Sequence, residues 1–283
     1  MMKNAIEIKG LTKSYSGFTL DRLDLTLPAG CIMGLIGENG AGKTTTLKML
    51  MGITKPDGGS ARVLDTDITG DMRCVKEDIG VVLDEPGLPA NLTLEQVRKI
   101  MALSFENWND ARWRELTGKL ALPQDKPYGD FSRGMKMKLG IAIAMSHEPK
   151  LLMLDEPTSG LDPVVRDEVV ELFLDFAKEP EHSILISSHI VSDLEKLCDY
   201  IAFLHRGKLI LCEEKDTLLN EYCLVRSSAD GIDALEQSAV TGRRDTPYGS
   251  SAIVRRDAVP AGMEKGGMSI EELFVMMVKG AEK

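Results

Sequence analysis

A glycine-rich pattern occupies residues 37–44, where Gly37-Glu38-Asn39-Gly40-Ala41-Gly42-Lys43-Thr44 matches GxxxxGK[ST]. Glycines let the backbone curl until successive N–H groups converge on one phosphate. The N-terminus of a following helix adds about half a positive charge to such a site. Lys43 is then expected to reach the β- and γ-phosphates of a nucleotide, and the Thr44 hydroxyl to ligate Mg²⁺. The pattern therefore predicts a site for a magnesium–nucleoside triphosphate.

Two carboxylates follow an apolar run in Leu151-Leu152-Met153-Leu154-Asp155-Glu156. Open α/β sheets bind ligands at the carboxyl ends of their strands, which is where this run places the acids. Asp155 is expected to support Mg²⁺, and Glu156 to orient and deprotonate the attacking water. The alternative is a pair of solvated acids that open a turn at Pro157. The glycine-rich loop elsewhere in the chain favours the catalytic interpretation.

Strand-like and helical segments alternate around these residues. Two strand-like runs, Ala5–Ile8 and Phe18–Thr26, precede a third at Cys31–Ile36, and the glycine-rich loop then leads into a helix over Thr44–Met51. Further strand-like runs are Ser60–Leu64, Ile79–Leu83, Leu151–Leu154, Ser183–Ser187 and Ile201–Leu204. Strands separated by helices imply an α/β fold with a mainly parallel sheet and right-handed crossovers.

Helix-capping patterns mark the helical segments. Thr93 and Gln96 have capping-box spacing at the start of residues 93–145, which read as helical with a break over 122–129. Asp162-Pro163 predicts the start of a helix that runs to about residue 177. Similar patterns predict two further helices, with Ser192 and Glu195 capping one and Ser269 and Glu272 capping a terminal amphipathic helix.

The domain division follows from these segments. We expect one domain over residues 1–225, with a helical subdomain inserted at about 85–145. Residues 226–283 form a small extension that ends in the amphipathic helix. The polar, glycine-containing stretch 226–262 predicts no particular structure.

Composition excludes several classes of protein. The chain of 283 residues is 43% hydrophobic, enough for a large core, and no run of about eighteen apolar residues predicts a membrane span. Its formal net charge of −10 argues against broad nucleic-acid binding, which depends on Lys and Arg neutralising phosphates. The five cysteines have no ligand-like spacing, which favours reduced thiols in a cytoplasmic protein.

Residues 3–225 resemble the ATP-binding subunits of ABC transporters. Besides the two segments above, the resemblance rests on Tyr15, on Phe131-Ser132-Arg133-Gly134-Met135, on Ser159-Gly160-Leu161-Asp162 and on His189, in the order of that family. It implies a P-loop NTPase core, an N-terminal antiparallel β subdomain and an inserted helical subdomain. It also implies that Lys43, Glu156 and His189 are catalytic and that the cofactors are ATP and Mg²⁺. The residues that it assigns to nucleotide binding are Tyr15, Gly37, Asn39, Gly40, Ala41, Gly42, Lys43, Thr44, Thr45, Ser132 and Gly134.

The sequence departs from the family pattern at two sites. Arg133 and Met135 replace a glycine and a glutamine of the signature LSGGQ, so only Ser132 and Gly134 match there. Asp84 stands where the family has a glutamine that approaches Mg²⁺. The implied metal ligands are Thr44, Asp84 and Asp155.

The resemblance implies an ATPase that couples hydrolysis to export through separately encoded integral membrane subunits, on the inner face of the cell membrane. Two such chains, as a homodimer or with another ABC ATPase subunit, would place the signature of one against the nucleotide of the other. No nucleic-acid partner is expected. Two alternatives stay open: a soluble ABC ATPase that acts on ribosomes or DNA, and a hydrolysis-impaired partner of a sister subunit.

Overall fold

The structure is a computed structural model that describes residues 3–83, 87–247 and 249–281. Its strands are β1 (Asn4–Tyr15), β2 (Phe18–Pro28), β3 (Ile32–Gly37), β4 (Gly58–Val63), β5 (Thr66–Asp67), β6 (Ile79–Val82), β7 (Leu151–Asp155), β8 (Ser183–Ser188), β9 (Tyr200–His205), β10 (Lys208–Glu214), β11 (Tyr222–Ser227), β12 (Val240–Thr246) and β13 (Gly249–Arg255). Its helices are α1 (Lys43–Leu50), α2 (Arg73–Lys76), α3 (Leu94–Ser104), α4 (Asp110–Lys119), α5 (Arg133–Ser146), α6 (Pro163–Phe176), α7 (Val191–Leu197), α8 (Lys215–Glu221), α9 (Ala229–Asp233) and α10 (Ile270–Ala281).

The central sheet has the strand order β10-β9-β3-β8-β7-β6. All neighbouring strands are parallel except β10, which runs antiparallel to β9. Every residue of β3, β7 and β8 is buried, because one face of the sheet packs against helices and the other against the N-terminal strands. This burial explains why these strands read as continuous apolar runs. The predicted mainly parallel α/β core is confirmed.

The carboxyl ends of three neighbouring strands define one edge of this sheet. In the register of β7 on β8, Asp155 lies opposite Ser187, and in that of β3 on β8, Ile36 lies opposite Ser188. The glycine-rich loop, the acidic pair and the segment after β8 therefore leave the sheet side by side. An edge of this kind is where open α/β sheets bind their ligands.

The N-terminal strands form a second, antiparallel sheet in the order β2-β1-β4-β5, as predicted. The helical insertion, α3 to α5, lies between β6 and β7, and the capping box of Thr93 and Gln96 is present at the start of α3. The insertion has an additional break at residues 105–109. There the side chain of Asn109 caps α4, accepting hydrogen bonds from the amides of Ala111 and Arg112.

Helix α7 begins earlier than predicted. Ser192 and Glu195 do not form its cap, because the helix already starts at Val191 and no side chain of the described residues caps its first turn. The carboxylate of Glu195 instead accepts a hydrogen bond from the backbone N–H of Ile270, at the start of α10. The spacing of Ser192 and Glu195 therefore matches a capping box, but in the folded chain the Glu195 carboxylate contacts α10 instead.

Residues after α8 form a third sheet, with the antiparallel order β11-β13-β12. The predicted capping box of α10 is present: the Glu272 amide donates to Ser269 Oγ at 3.1 Å, and the Ser269 amide to Glu272 Oε2 at 3.0 Å. Strands β12 and β13 lie in the stretch for which the sequence predicted no structure. The expected boundary at residues 225/226 lies inside β11. No helix among the described residues combines the length and apolar character that a membrane span requires.

The turn between β9 and β10 contacts the glycine-rich loop. The Gly207 amide donates to the carbonyl of Ala41 at 3.1 Å, and the Gly207 carbonyl accepts from the amide of Asp21 at 2.8 Å. A Cβ on Gly207 would lie 1.9 Å from the carbonyl oxygen of Thr19, and its φ of +79° favours glycine. The turn can therefore reach both neighbours only if residue 207 has no side chain.

We predict that Gly207→Ala lowers the free energy of unfolding by about 2–4 kcal/mol, since left-handed strain and a backbone clash add. Gly17→Ala is the matched control, because Gly17 has a similar φ of +84° but open space around its Cβ position. That control should lose about 1 kcal/mol. Urea unfolding of both variants measures the difference, and equal losses would contradict the clash.

Candidate functional site

The glycine-rich loop joins β3 to α1 and forms the floor of a cavity of about 450 Å³, lined by Gly17, Phe18, residues 38–45 and Glu156. Gly40 and Gly42 have positive φ angles of +80° and +112°. A Cβ on Gly42 would lie 2.8 Å from Leu20 Cδ1, whereas one on Gly40 would meet nothing within 4 Å. Of the predicted nucleotide-binding residues, Asn39, Gly40, Ala41, Gly42, Lys43, Thr44 and Thr45 all line this cavity. Gly37 lies beneath it, at the end of β3.

The Lys43 side chain is nearly buried at the base of the cavity, with 6% of its surface exposed. Its ammonium donates to the carbonyl oxygen of Gly37 at 2.6 Å and lies 3.4 Å from Glu156 Oε1. A nearly buried ammonium beside converging loop amides is an arrangement that binds phosphate oxygens.

The hydroxyl of Thr44 and the carboxylate of Asp155 meet beside Lys43. Thr44 Oγ1 donates to Asp155 Oδ2 at 2.7 Å, although 111 residues separate them in the sequence. The other carboxylate oxygen accepts from Ser187 Oγ at 2.5 Å. A hydroxyl and a carboxylate oxygen at one point are hard donors, so the pair fits Mg²⁺.

Sequence reasoning did not find Ser187, which ends the run that it had identified as an apolar strand. A hydroxyl next to the carboxyl end of an otherwise apolar parallel strand was the signal available. Its bond fixes the orientation of the Asp155 carboxylate.

Glu156 is in contact with both Lys43 and His189. Its Oε2 lies 2.5 Å from His189 Nδ1 and accepts the His189 backbone N–H at 3.2 Å, while Oε1 lies 3.4 Å from Lys43 Nζ. The φ angle of Glu156 is +52°, a region that few non-glycine residues adopt. Its amide donates to the carbonyl oxygen of Ser187 at 3.0 Å, which holds that conformation. A positive φ held in place by a backbone hydrogen bond fixes the direction in which the Glu156 side chain leaves the strand end.

Tyr15 ends β1 just before the turn to β2, and 47% of its surface is exposed. It does not line the cavity, whereas Gly17 and Phe18, which follow it, do. An exposed aromatic ring beside a phosphate site can stack on a base.

The turn that carries Tyr15 is fixed by Asp57, which sequence reasoning missed. Asp57 Oδ1 accepts from Lys13 Nζ and Oδ2 from the Ser14 amide, both at 2.8 Å. The Lys13 bond first, and the Ser14 bond second, hold the pKa of the Asp57 carboxyl below its ordinary value. The Lys13 ammonium lies 5.7 Å from the centroid of the Tyr15 ring.

Ser132 and Gly134 lie apart from this cavity, at the start of α5. Ser132 is exposed and its hydroxyl accepts from the Met135 amide at 3.3 Å. A Cβ on Gly134 would lie 3.3 Å from Leu161 Cδ2, so the start of α5 packs near residues 159–162. The structure therefore does not bring these two residues to the chain's own phosphate site. Asp84, the third predicted metal ligand, lies outside the described residues.

Comparison with known proteins identifies the family. The family described as "ABC transporter" matches residues 20–159. The bacitracin transport ATP-binding protein BcrA of Bacillus licheniformis is 40% identical over 214 residues, which are 74% of this chain and 69% of BcrA. The chain belongs to the ATP-binding proteins of ABC transporters. It is therefore an ATPase that binds ATP, and proteins of this family work with membrane subunits and form dimeric cassettes.

Two further relatives have a similar level of identity. The lantibiotic transport ATP-binding protein SrtF of Streptococcus pyogenes is 38% identical over 75% of this chain and 91% of SrtF. The daunorubicin/doxorubicin resistance ATP-binding protein DrrA of Streptomyces peucetius is 36% identical over 73% of this chain and 64% of DrrA.

Solved structures agree on the fold. The ATP-binding subunit of an ABC transporter is 29% identical and has a TM-score of 0.67, over 76% of this chain and 91% of that one. A dimeric ATP-binding cassette in a post-hydrolysis state, bound to ADP and Pi, is 21% identical with a TM-score of 0.66, over 74% of this chain and 98% of that one.

We predict that Asp57→Ala raises the KM for ATP about three- to tenfold with little change in kcat. Without its two bonds the turn no longer holds Tyr15, and an aromatic contact is worth about 0.5–1.5 kcal/mol. Asp257→Ala removes another exposed, ion-paired carboxylate, which pairs with Arg255 and does not line the cavity, so its KM should not change. Steady-state ATPase kinetics of both variants test this, and an unchanged KM in Asp57→Ala would disprove the positioning role.

Proposed function

We propose that this chain is the ATP-hydrolysing subunit of an ABC exporter and that it acts through separately encoded membrane subunits. The observation that carries the proposal is the convergence of Lys43, Thr44, Asp155, Glu156 and His189 at the carboxyl ends of β3, β7 and β8. Export is favoured because relatives of this chain are named for bacitracin transport, for lantibiotic transport and for drug resistance.

Each residue of the cluster has a part in the proposed reaction. The loop amides and Lys43 bind the triphosphate, and Thr44 and Asp155 would hold Mg²⁺, with Asp84 as a third proposed ligand. Bound there, Mg²⁺ neutralises charge on the phosphate oxygens. Glu156 orients a water molecule and accepts its proton while the water oxygen attacks the γ-phosphorus and ADP leaves. His189 holds the water and the γ-phosphate in line.

The contact between Lys43 and Glu156 changes when nucleotide binds. Phosphate oxygens compete with the Glu156 carboxylate for the Lys43 ammonium, because both are anionic acceptors at hydrogen-bond range. Lys43 therefore exchanges Glu156 for phosphate, and the carboxylate becomes available to water. The exchange links binding of the triphosphate to formation of the general base.

We propose that a second chain completes the site. Ser132 and Gly134 lie outside the chain's own phosphate cavity, which supports their use by the nucleotide of a partner cassette. An exposed serine and backbone N–H groups at a helix start are anion donors. The partner is a second copy of this chain or a different ABC ATPase subunit.

An apolar groove of about 610 Å³ supports docking of a membrane subunit. Apolar side chains dominate its lining: Met51, Ile53, Met72, Ile79, Val81, Phe105, Ile143 and Ala144. Ile53 is 61% exposed there, and Val81 lies four positions in the sequence before residues 85–92, the segment to which the family resemblance assigns docking of the membrane subunits. We propose that a short amphipathic helix of the membrane subunit occupies this groove, on the inner face of the membrane.

We predict that Glu156→Gln reduces ATP hydrolysis by about 10²–10⁴-fold, the usual contribution of a general base, and leaves ATP binding intact. Glu148→Gln is the matched control, because Glu148 is a glutamate with a similar φ of +54° that contacts Asn109 in the helical insertion. Phosphate release and equilibrium ATP binding measure the two effects. Equal hydrolysis by both variants and the unchanged chain would refute the assignment of Glu156.

We also predict that Ile53→Glu abolishes recovery of the membrane subunit while the ATPase rate of the isolated chain stays the same. A buried, unpaired carboxylate in the groove disfavours an apolar helix. Leu174→Glu is the control, since Leu174 is 40% exposed on α6, away from the groove. Pull-down from detergent-solubilised membranes, with identification of multi-span proteins, tests this. Recovery of RNA or DNA in place of such proteins would favour a soluble ABC ATPase.

A further inference from the structure

Two segments of the site are joined at two points. The first joins Glu156 to His189, as described above. The second is a buried hydrogen bond, in which Thr158 Oγ1 donates to Asp193 Oδ2 at 2.8 Å. Thr158 is 1% exposed and Asp193 is 6% exposed, so water does not compete for this bond. Two side chains of the loop after β7, Glu156 and Thr158, therefore contact two side chains at the start of α7, His189 and Asp193.

Asp193 also faces the helix after the 159–162 segment. Arg166, in the first turn of α6, places Nε 3.9 Å from Asp193 Oδ2. That Nε is buried and makes no hydrogen bond to any of the described residues, so its interaction with Asp193 is an attraction between charges. Thr158 immediately precedes residues 159–162 and Arg166 follows them. The Asp193 carboxylate therefore interacts with a residue on each side of segment 159–162: Thr158 before it and Arg166 after it.

We propose that Asp193 is a positioning residue for the ATPase reaction: through Thr158 it holds the start of α7, and with it His189, in register with Glu156. The inference rests on the proposed roles of Glu156 and His189. The first contact must change during the reaction, because Glu156 turns to water and His189 to the γ-phosphate. The second contact involves no reacting group and persists.

The start of α7 makes this bond more than a contribution to stability. The N-cap residue Ile190 has no polar side chain, the helix is only seven residues long, and the local side-chain bond at its start is the one that Ser188 Oγ accepts from the Ile190 amide at 2.9 Å. Asp193 lies in its first turn, where a carboxylate is favoured by the helix dipole. The Thr158 bond adds a buried side-chain connection from this first turn to the loop after β7. It also transmits a displacement of residues 159–162 to His189.

The test uses Thr158→Val, which keeps the shape of the side chain and removes the hydroxyl. We expect kcat to fall about ten- to a hundredfold, as a displaced catalytic group implies, with KM and ATP binding within about twofold. Thr158→Ser, which restores the hydroxyl, should recover most of kcat. Thr117→Val is the matched control, since Thr117 is also buried but its hydroxyl bonds to Trp113 in its own helix.

A second measurement is independent of catalysis. Amide hydrogen exchange over residues 189–194 should accelerate at least about fivefold in Thr158→Val and stay unchanged in Thr117→Val. Unchanged exchange in this segment, an unchanged kcat, or a serine variant as slow as the valine variant would each overturn the inference. If exchange accelerates as expected but the unchanged chain hydrolyses no ATP, the coupling stands and the proposed function fails.

Discussion

The arrangement of the site depends on two contacts of the Glu156 carboxylate, one with the Lys43 ammonium and one with the His189 imidazole. One oxygen lies 3.4 Å from the ammonium and the other 2.5 Å from the imidazole nitrogen. In the proposed reaction this arrangement both positions the base and restrains it, because the Lys43 ammonium proposed to bind phosphate contacts the Glu156 carboxylate proposed to activate water. The strained φ of Glu156 belongs to the same arrangement, since an extended conformation at this residue would aim the carboxylate elsewhere.

The parallel sheet makes that arrangement possible. Lys43, Glu156 and His189 come from three crossovers, and they meet because β3, β8 and β7 are neighbours whose carboxyl ends share one edge. Full burial of these strands fixes their register, because a slip of one residue would turn every side chain to the opposite face of the sheet. The position of a polar residue at a strand end is therefore fixed relative to the neighbouring strands. The polar residues inside this edge are tied by hydrogen bonds: Thr44 and Ser187 satisfy both oxygens of Asp155, which would otherwise be a buried, uncompensated charge.

The sequence predicted the parts of the site that local patterns encode. The glycine-rich loop and the acidic pair each follow an apolar strand within a few residues, so their chemistry and position could be read together. Ser187, Asp57 and Asp193 could not be found in this way. Their partners are 32, 43 and 35 residues away, and only the strand order determines which of them meet. The same limit explains Glu195, whose capping spacing suits α7 although its carboxylate contacts α10. Strand β12 was missed because its residues are mostly polar and only Gly242 is buried, and β13 because its apolar run, residues 252–254, is only three residues long.

The C-terminal sheet and helix are attached to the elements that border the site. Glu195 on α7 accepts from the first amide of α10, and Phe274 on α10 packs 5.1 Å, between ring centroids, from Phe203 on β9. Three side chains of α7 reach other elements: Asp193 bonds to the loop after β7, Glu195 to α10, and Lys196 pairs with Asp167 of α6 at 3.2 Å. Helix α10 thus meets the rest of the chain at α7, the helix that follows the proposed catalytic residue His189. Glu195 of α7 makes that contact, and Asp193, nearer to His189 in the sequence, makes the contact with Thr158.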